Sequence, residues 1–152
     1  MSESKSITRN RKAYYEYEII DKVEAGLVLK GTEVKSIRAG KINLQDGWVE
    51  ITEEGEAILR QVHISPYSYG NIFNHEPQRP RQLLLKKDQI IRIQQKIEQK
   101  GMTLVPLAVY IKGQWVKISL GLGKGKKLHD KRQHLKEKTS QQDMERALKK
   151  YK

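Results

Sequence analysis

Cysteine is absent from the 152 residues. Its absence excludes a disulfide scaffold, thiolate zinc sites, iron–sulfur clusters and a cysteine nucleophile, and agrees with a reducing compartment. Long apolar runs are missing too. The longest mostly apolar stretch, Thr103 to Ile111, is interrupted by Pro106 and falls far short of the roughly 20 residues that cross a bilayer. Residues 1–20 contain no apolar segment of the kind a secretory signal requires. The expectation is a soluble, cytoplasmic protein. Internal repeats and low-complexity tracts are also lacking.

Catalytic patterns are equally scarce. His63, His75, His129 and His134 stand in no H-x-E or H-E-x-x-H arrangement, so nothing supports a catalytic zinc. The segment Gly121-Leu122-Gly123-Lys124-Gly125-Lys126-Lys127 superficially resembles a phosphate-binding loop. It has the wrong glycine spacing and no Ser or Thr after its lysine. Glu53, Glu54 and Glu56 read as a solvated turn. The sequence therefore predicts no enzyme, no metal and no cofactor.

Positive charge is what the chain has in excess. Lys and Arg number 30 against 18 Asp and Glu, giving a net charge of +12. Residues 1–120 carry 19 basic and 14 acidic side chains, whereas residues 121–152 carry 11 and 4. More than half of the excess lies in the last 32 residues. So uneven a distribution argues against a merely solubilising surface and for contact with a polyanion, nucleic acid first.

The length suits one domain. Residues 1–12 read as a flexible arm ending in the basic patch Asn10-Arg11-Lys12. Tyr15, Tyr17 and Ile19 at period two predict a strand, continued by Leu27-Val28-Leu29 with Gly26 at a bulge or break. Residues 31–40 read as a short helix capped by Thr32 and ended by Gly40. Trp48–Ile51 and Ala57–Val62 form a hairpin around Glu53-Glu54-Gly55, and residues 65–82 read as loop. Ile90, Ile93 and Ile97 predict a helix over Asp88–Gln99, stopped at Gly101. Val105, Leu107, Val109 and Ile111 alternate, as do Val116, Ile118, Leu120 and Leu122, which predicts a second hairpin around Lys112-Gly113. The whole is expected to be mainly β with flanking helices: an OB-like closed β-barrel of about six strands over residues 13–123.

Residues 124–152 read as a basic tail, disordered alone and partly helical on a partner. Lys124, Lys126, Lys127, Lys131 and Arg132 offer charge, the interleaved glycines offer close backbone approach to a phosphodiester, and His129 offers a stacking ring. Met144, Leu148 and Tyr151 make a narrow apolar stripe at helical spacing.

The ordered motifs resemble one family closely, the SsrA-binding proteins (small protein B), partners of transfer-messenger RNA. The likeness is carried by Asn10-Arg11-Lys12-Ala13, Glu24-Ala25-Gly26, Gly31-Thr32-Glu33-Val34-Lys35-Ser36, His63-Ile64-Ser65-Pro66-Tyr67, Asn74-His75-Glu76-Pro77, Arg79-Pro80-Arg81-Gln82-Leu83-Leu84-Leu85, Lys100-Gly101-Met102-Thr103-Leu104-Val105-Pro106, Gly125-Lys126-Lys127 and Asp130-Lys131-Arg132. The resemblance implies an RNA-binding adaptor that brings the tRNA-like domain of transfer-messenger RNA to stalled ribosomes. Its tail would enter the empty decoding centre and message channel of the small subunit, and the nascent chain would then be tagged and the ribosome released. Elongation factor Tu and alanyl-tRNA synthetase would be met through the shared RNA. The family's RNA contacts fall on Glu24, Leu84 and Lys117, with Asn10, Arg11, Lys12, Lys124, Lys126 and Lys127 as basic or polar support. Its decoding-centre role falls on His129, Asp130, Lys131 and Arg132. A non-selective OB-fold RNA chaperone or ribosome-associated protein is the alternative reading.

Overall fold

The computed structural model describes residues 4–67 and 74–126. The elements run β1 (Ser4–Arg9), α1 (Arg11–Glu16), β2 (Tyr17–Leu27), α2 (Gly31–Arg38), β3 (Ile42–Asn43), β4 (Trp48–Ile51), β5 (Ala57–Arg60), β6 (His63–Ile64), β7 (Arg81–Leu84), α3 (Lys87–Lys100), β8 (Thr103–Lys112) and β9 (Trp115–Gly125). It is a mainly β structure with three helices among the described residues. Six strands close a ring of antiparallel pairings in the order β8, β4, β5, β7, β2, β9 and back to β8. Strand β9 pairs along almost the whole of β8. The other edge of β8 is shared, by β4 at Leu104 and by β1 from Ala108 to Lys112. The short β3–β6 pair forms a separate sheet.

Two sequence expectations fail at the N-terminus. Residues 4–9 are a paired strand rather than a flexible arm, because β8 presents a free edge that their backbone completes. Tyr15 belongs to α1 and not to a strand. Asn10 explains the switch. Its Oδ1 accepts from the Ala13 backbone N–H at 3.2 Å, which caps the helix. Its Nδ2 donates to the carbonyls of Leu44 (3.1 Å) and Pro106 (2.9 Å).

The helices at 31–38 and 87–100 form where apolar spacing places them, but their caps differ from the pattern read in sequence. Thr32 lies inside α2, and it is Glu33 that reaches back to the Lys30 backbone N–H at 2.8 Å. In α3, Gln89 does the same for Lys86 at 2.9 Å. Ile90 and Ile93 are buried, and Gly101 adopts the left-handed conformation (φ 64°) that ends the helix. Gly26 sits at no bulge, since it pairs with both Leu84 and Lys117; the irregularity in β2 lies between Ile19 and Asp21. The loop-like stretch 65–82 ends in β7.

Strand β8 is not the simple alternation its sequence predicts. Pro106 has no N–H to give the ladder, and the register shifts between Pro106 and Ala108. Val105 and Leu107 thereby pack with Ala13 under α1, while Leu104, Val109 and Ile111 join the main core with Ile37, Leu59, Leu83, Ile93, Ile118 and Leu120. Strand β9 runs on to Gly125, past the expected end of the barrel at 123.

Candidate nucleic-acid interface

One transverse row crosses four neighbouring strands: Leu84 on β7, Gly26 on β2, Lys117 on β9 and Tyr110 on β8. Directly opposed residues project to one face of a sheet, here the outer one. The row has a gap at its second position, where glycine contributes no side chain. A shallow recess of about 470 Å³ opens there, bordered by Gly26, Leu84, Trp115 and Lys117. Leu84 is 57% exposed and Trp115 is 70% exposed. An apolar side chain and an indole left in water on either side of a lysine make a surface suited to an unstacked base or ribose beside a phosphate. Lys117 has no ion-pair partner among the described residues, so its charge is unspent.

Glu24 lies two residues from Gly26 on the same face, opposite Ser119. The Tyr110 hydroxyl donates to the Glu24 carboxylate. Burial first, and then the neighbouring carboxylate, push the Tyr110 phenol well above its ordinary pKa, so it stays a donor. One carboxylate oxygen is thus held in place, and the group as a whole is aimed rather than free. The structure therefore brings Glu24, Leu84 and Lys117 together. It adds Tyr110 and Trp115, which the sequence reading did not single out. The signal was present in the register, since both fall in phase with Lys117 across the β8–β9 hairpin, but aromatic residues in phase on a strand are usually core.

The other basic residues stand elsewhere. Lys124 is seven residues along β9 from Lys117, about 23 Å at the usual strand rise. The Lys126 backbone N–H donates to the Glu16 carbonyl at 2.7 Å, and its ammonium lies 5.7 Å from the centre of the Tyr15 ring. Arg11 and Lys12 are exposed at the same end. Lys12 bonds Asp46 at 3.2 Å, which raises its pKa and spends part of its charge.

Asn10 must be withdrawn as an RNA contact. It is 2% exposed and its amide is fully occupied by backbone groups. The glycines read as phosphate approaches also need correction. A Cβ on Gly121 would sit 2.7 Å from Leu107 Cδ1, and one on Gly123 would sit 2.6 Å from the Glu18 carbonyl oxygen. Both are glycine because the fold leaves no room. Lys127, His129, Asp130, Lys131, Arg132, Met144, Leu148 and Tyr151 lie outside the described residues.

Behind the interface sits a buried ionic cluster that the sequence reading met only as separate motifs. Glu33 is fully buried and is held by a fork from Arg79 (2.5 and 3.3 Å) and by Arg81 Nε (2.6 Å). Burial alone would raise the Glu33 pKa. The hydrogen bonds from Arg79, the Lys30 backbone and Arg81 overcome it and hold the carboxyl below its ordinary value. Arg81, itself buried, also ties Val62 and Pro77 by their carbonyls at 2.7 and 3.0 Å. His75 is buried against Thr32 and Ile64; because the Ile64 carbonyl can only accept, Nε2 donates and Nδ1 receives the Thr32 hydroxyl proton. Among the described residues no His, Asp or Glu cluster is placed to hold a metal, and no helix is long and apolar enough to cross a membrane.

The family model described as "SmpB protein" matches residues 7–150. The chain belongs to that family. It is 58% identical over 146 residues to an SsrA-binding protein of Microcystis aeruginosa, covering 95% of this chain and 94% of that one. An SsrA-binding protein of Carboxydothermus hydrogenoformans is 54% identical over 144 residues, covering 95% and 96%. A solved structure described as "tmRNA-SmpB: a journey to the center of the bacterial ribosome" contains a chain with a TM-score of 0.66 and 46% identity, over 79% of this chain and 84% of that one. The identity spans the SmpB chain nearly end to end, so the likeness is not confined to one motif.

Proposed function

We propose that the chain is the RNA-binding adaptor of trans-translation. In this reading it binds the tRNA-like domain of transfer-messenger RNA through the outer face of β7, β2, β9 and β8. Lys117 meets a phosphate, Leu84 packs on a base or ribose, and Glu24, aimed by Tyr110, accepts from a base N–H or a 2′-hydroxyl. The observation that carries the reading is the row of Leu84, Gly26, Lys117 and Tyr110, found in a chain of the SmpB family. The ring of six strands is read as an OB-like barrel, with residues 13–123 as the RNA-binding unit and 124–152 as the tail. Arg11, Lys12, Lys124, Lys126 and Lys127 supply electrostatic attraction. His129, Asp130, Lys131 and Arg132 act at the empty decoding centre, while Met144, Leu148 and Tyr151 order the tail in the message channel. The protein works in the cytoplasm without catalysis of its own and meets elongation factor Tu and alanyl-tRNA synthetase through the shared RNA.

Filter binding against the tRNA-like domain tests this. Lys117→Ala is expected to weaken binding and to flatten the log–log salt dependence by about one unit. Leu84→Ala is expected to weaken binding with its melting temperature nearly unchanged, since the side chain is already in water. Equal competition by unstructured RNA at about 0.15 M salt would replace the adaptor by a non-selective chaperone.

A further inference from the structure

The largest recess described is not the one at Leu84 and Lys117. A second concavity of about 620 Å³ opens between α1, the segment joining β3 to β4, and the end of β5, and it shares no lining residue with the first. Thr103, at its wall, precedes Tyr110 by seven residues on β8, which separates the two surfaces by about 23 Å.

Its walls hold side chains that the fold does not use. Gln61 and Gln78 both line it. Gln61 has φ of 61°, the only positive value at a non-glycine position among the described residues. A side chain bearing a Cβ is strained in that conformation, yet the Gln61 carboxamide makes no hydrogen bond there that would explain it. Gln78 likewise makes none, nor does the indole N–H of Trp48, another wall residue that is 37% exposed. The charged lining comprises Glu16, Asp46 and Lys12, with Lys12 bonded to Asp46 at 3.2 Å. The net charge of the walls is therefore negative by one, which disfavours a phosphate inside.

A flat, neutral ligand with alternating donors and acceptors on its edge fits this set. Each carboxamide offers a donor and an acceptor in one plane, the geometry that pairs with a purine edge, and an exposed indole offers a stacking face. The volume falls in the range of small-ligand pockets. Immediately outside, Lys126 is tied to the Glu16 carbonyl and Arg11 adjoins Lys12, so cations stand at the rim where a strand's phosphates would lie.

We propose that this recess is a pocket for one unstacked nucleobase of an RNA strand, stacked on Trp48 and read by Gln61 and Gln78. The full chain labelled with 5-fluorotryptophan gives two ¹⁹F signals, since it contains two tryptophans, and a Trp115→Phe sample assigns them. An oligoadenylate RNA hexamer is expected to shift the Trp48 signal, and the same backbone made abasic is expected not to. Gln61→Gly relieves the backbone strain and preserves the fold, which a thermal melt checks; it is expected to weaken the hexamer's effect about fivefold or more. Two longer RNAs separate the source of the base, the tRNA-like domain of transfer-messenger RNA and a hairpin of small-subunit ribosomal RNA. A Trp48 shift by either that Gln61→Gly diminishes supports the pocket and names the strand. A shift that the abasic strand reproduces, one indifferent to Gln61→Gly, or none with any of these RNAs overturns it.

Discussion

Glu33 faces two guanidinium groups in the interior, so its charge state is tied to folding. A carboxyl held below its ordinary pKa in the native state binds fewer protons there than in the unfolded chain. Its contribution is complete above the ordinary carboxylate value and is lost as pH falls through the lowered native value. Glu33→Gln leaves two buried or half-buried arginines without their anion, and a broken buried pair costs about 3–5 kcal/mol. Urea unfolding from neutral pH down into the carboxylate range is expected to show that deficit at neutrality, narrowing as the native carboxyl protonates. A deficit independent of pH would mean that packing, rather than charge, is what the carboxylate supplies.

Strand β9 gives the element scale its clearest case. Its hydrophobic alternation fills the core with Val116, Ile118, Leu120 and Leu122, while its last third is fixed by what β2 and β8 leave room for. Gly123 meets the backbone of Glu18, which cannot rotate away as a side chain tip would. Gly123→Ala is expected to destabilise by about 1–3 kcal/mol, as overpacking does, measured by chemical denaturation. Unchanged stability with impaired RNA binding would return this glycine to the role of a phosphate approach. The same logic makes Pro106 a register device: a residue without an N–H sits where β8 stops alternating, and Asn10 accepts the bend by bonding the Pro106 carbonyl.

At the scale of the whole molecule, the excess charge and the packed fold are largely separate. Residues 121–152 hold 11 of the 30 basic side chains, yet the core is made by residues up to Leu122. Truncation after Lys127 is therefore expected to leave a cooperatively folding chain that still binds the tRNA-like domain in filter assays. Peptide tagging in a reconstituted stalled-ribosome reaction is expected to fail. Normal tagging by the truncated chain would make the tail a solvated appendage.

The sequence by itself determined the helix over residues 87–100 and the two long hairpins, because isoleucine spacing, alternation and the glycines at 55, 101 and 113 act locally. It also determined the basic character and the absence of any thiol chemistry. Tertiary structure decided what depends on distant backbone. Residues 4–9 are a strand only because β8 has an open edge, and Asn10 is a buried cap only because the carbonyls of Leu44 and Pro106 converge on it. Glu24, Leu84 and Lys117 were nameable from the likeness to a family, but their meeting on one face rests on the register of four strands, with Tyr110 and Trp115 beside them. Register is set by how many residues pair before a bulge intervenes, a long-range outcome that no local pattern encodes.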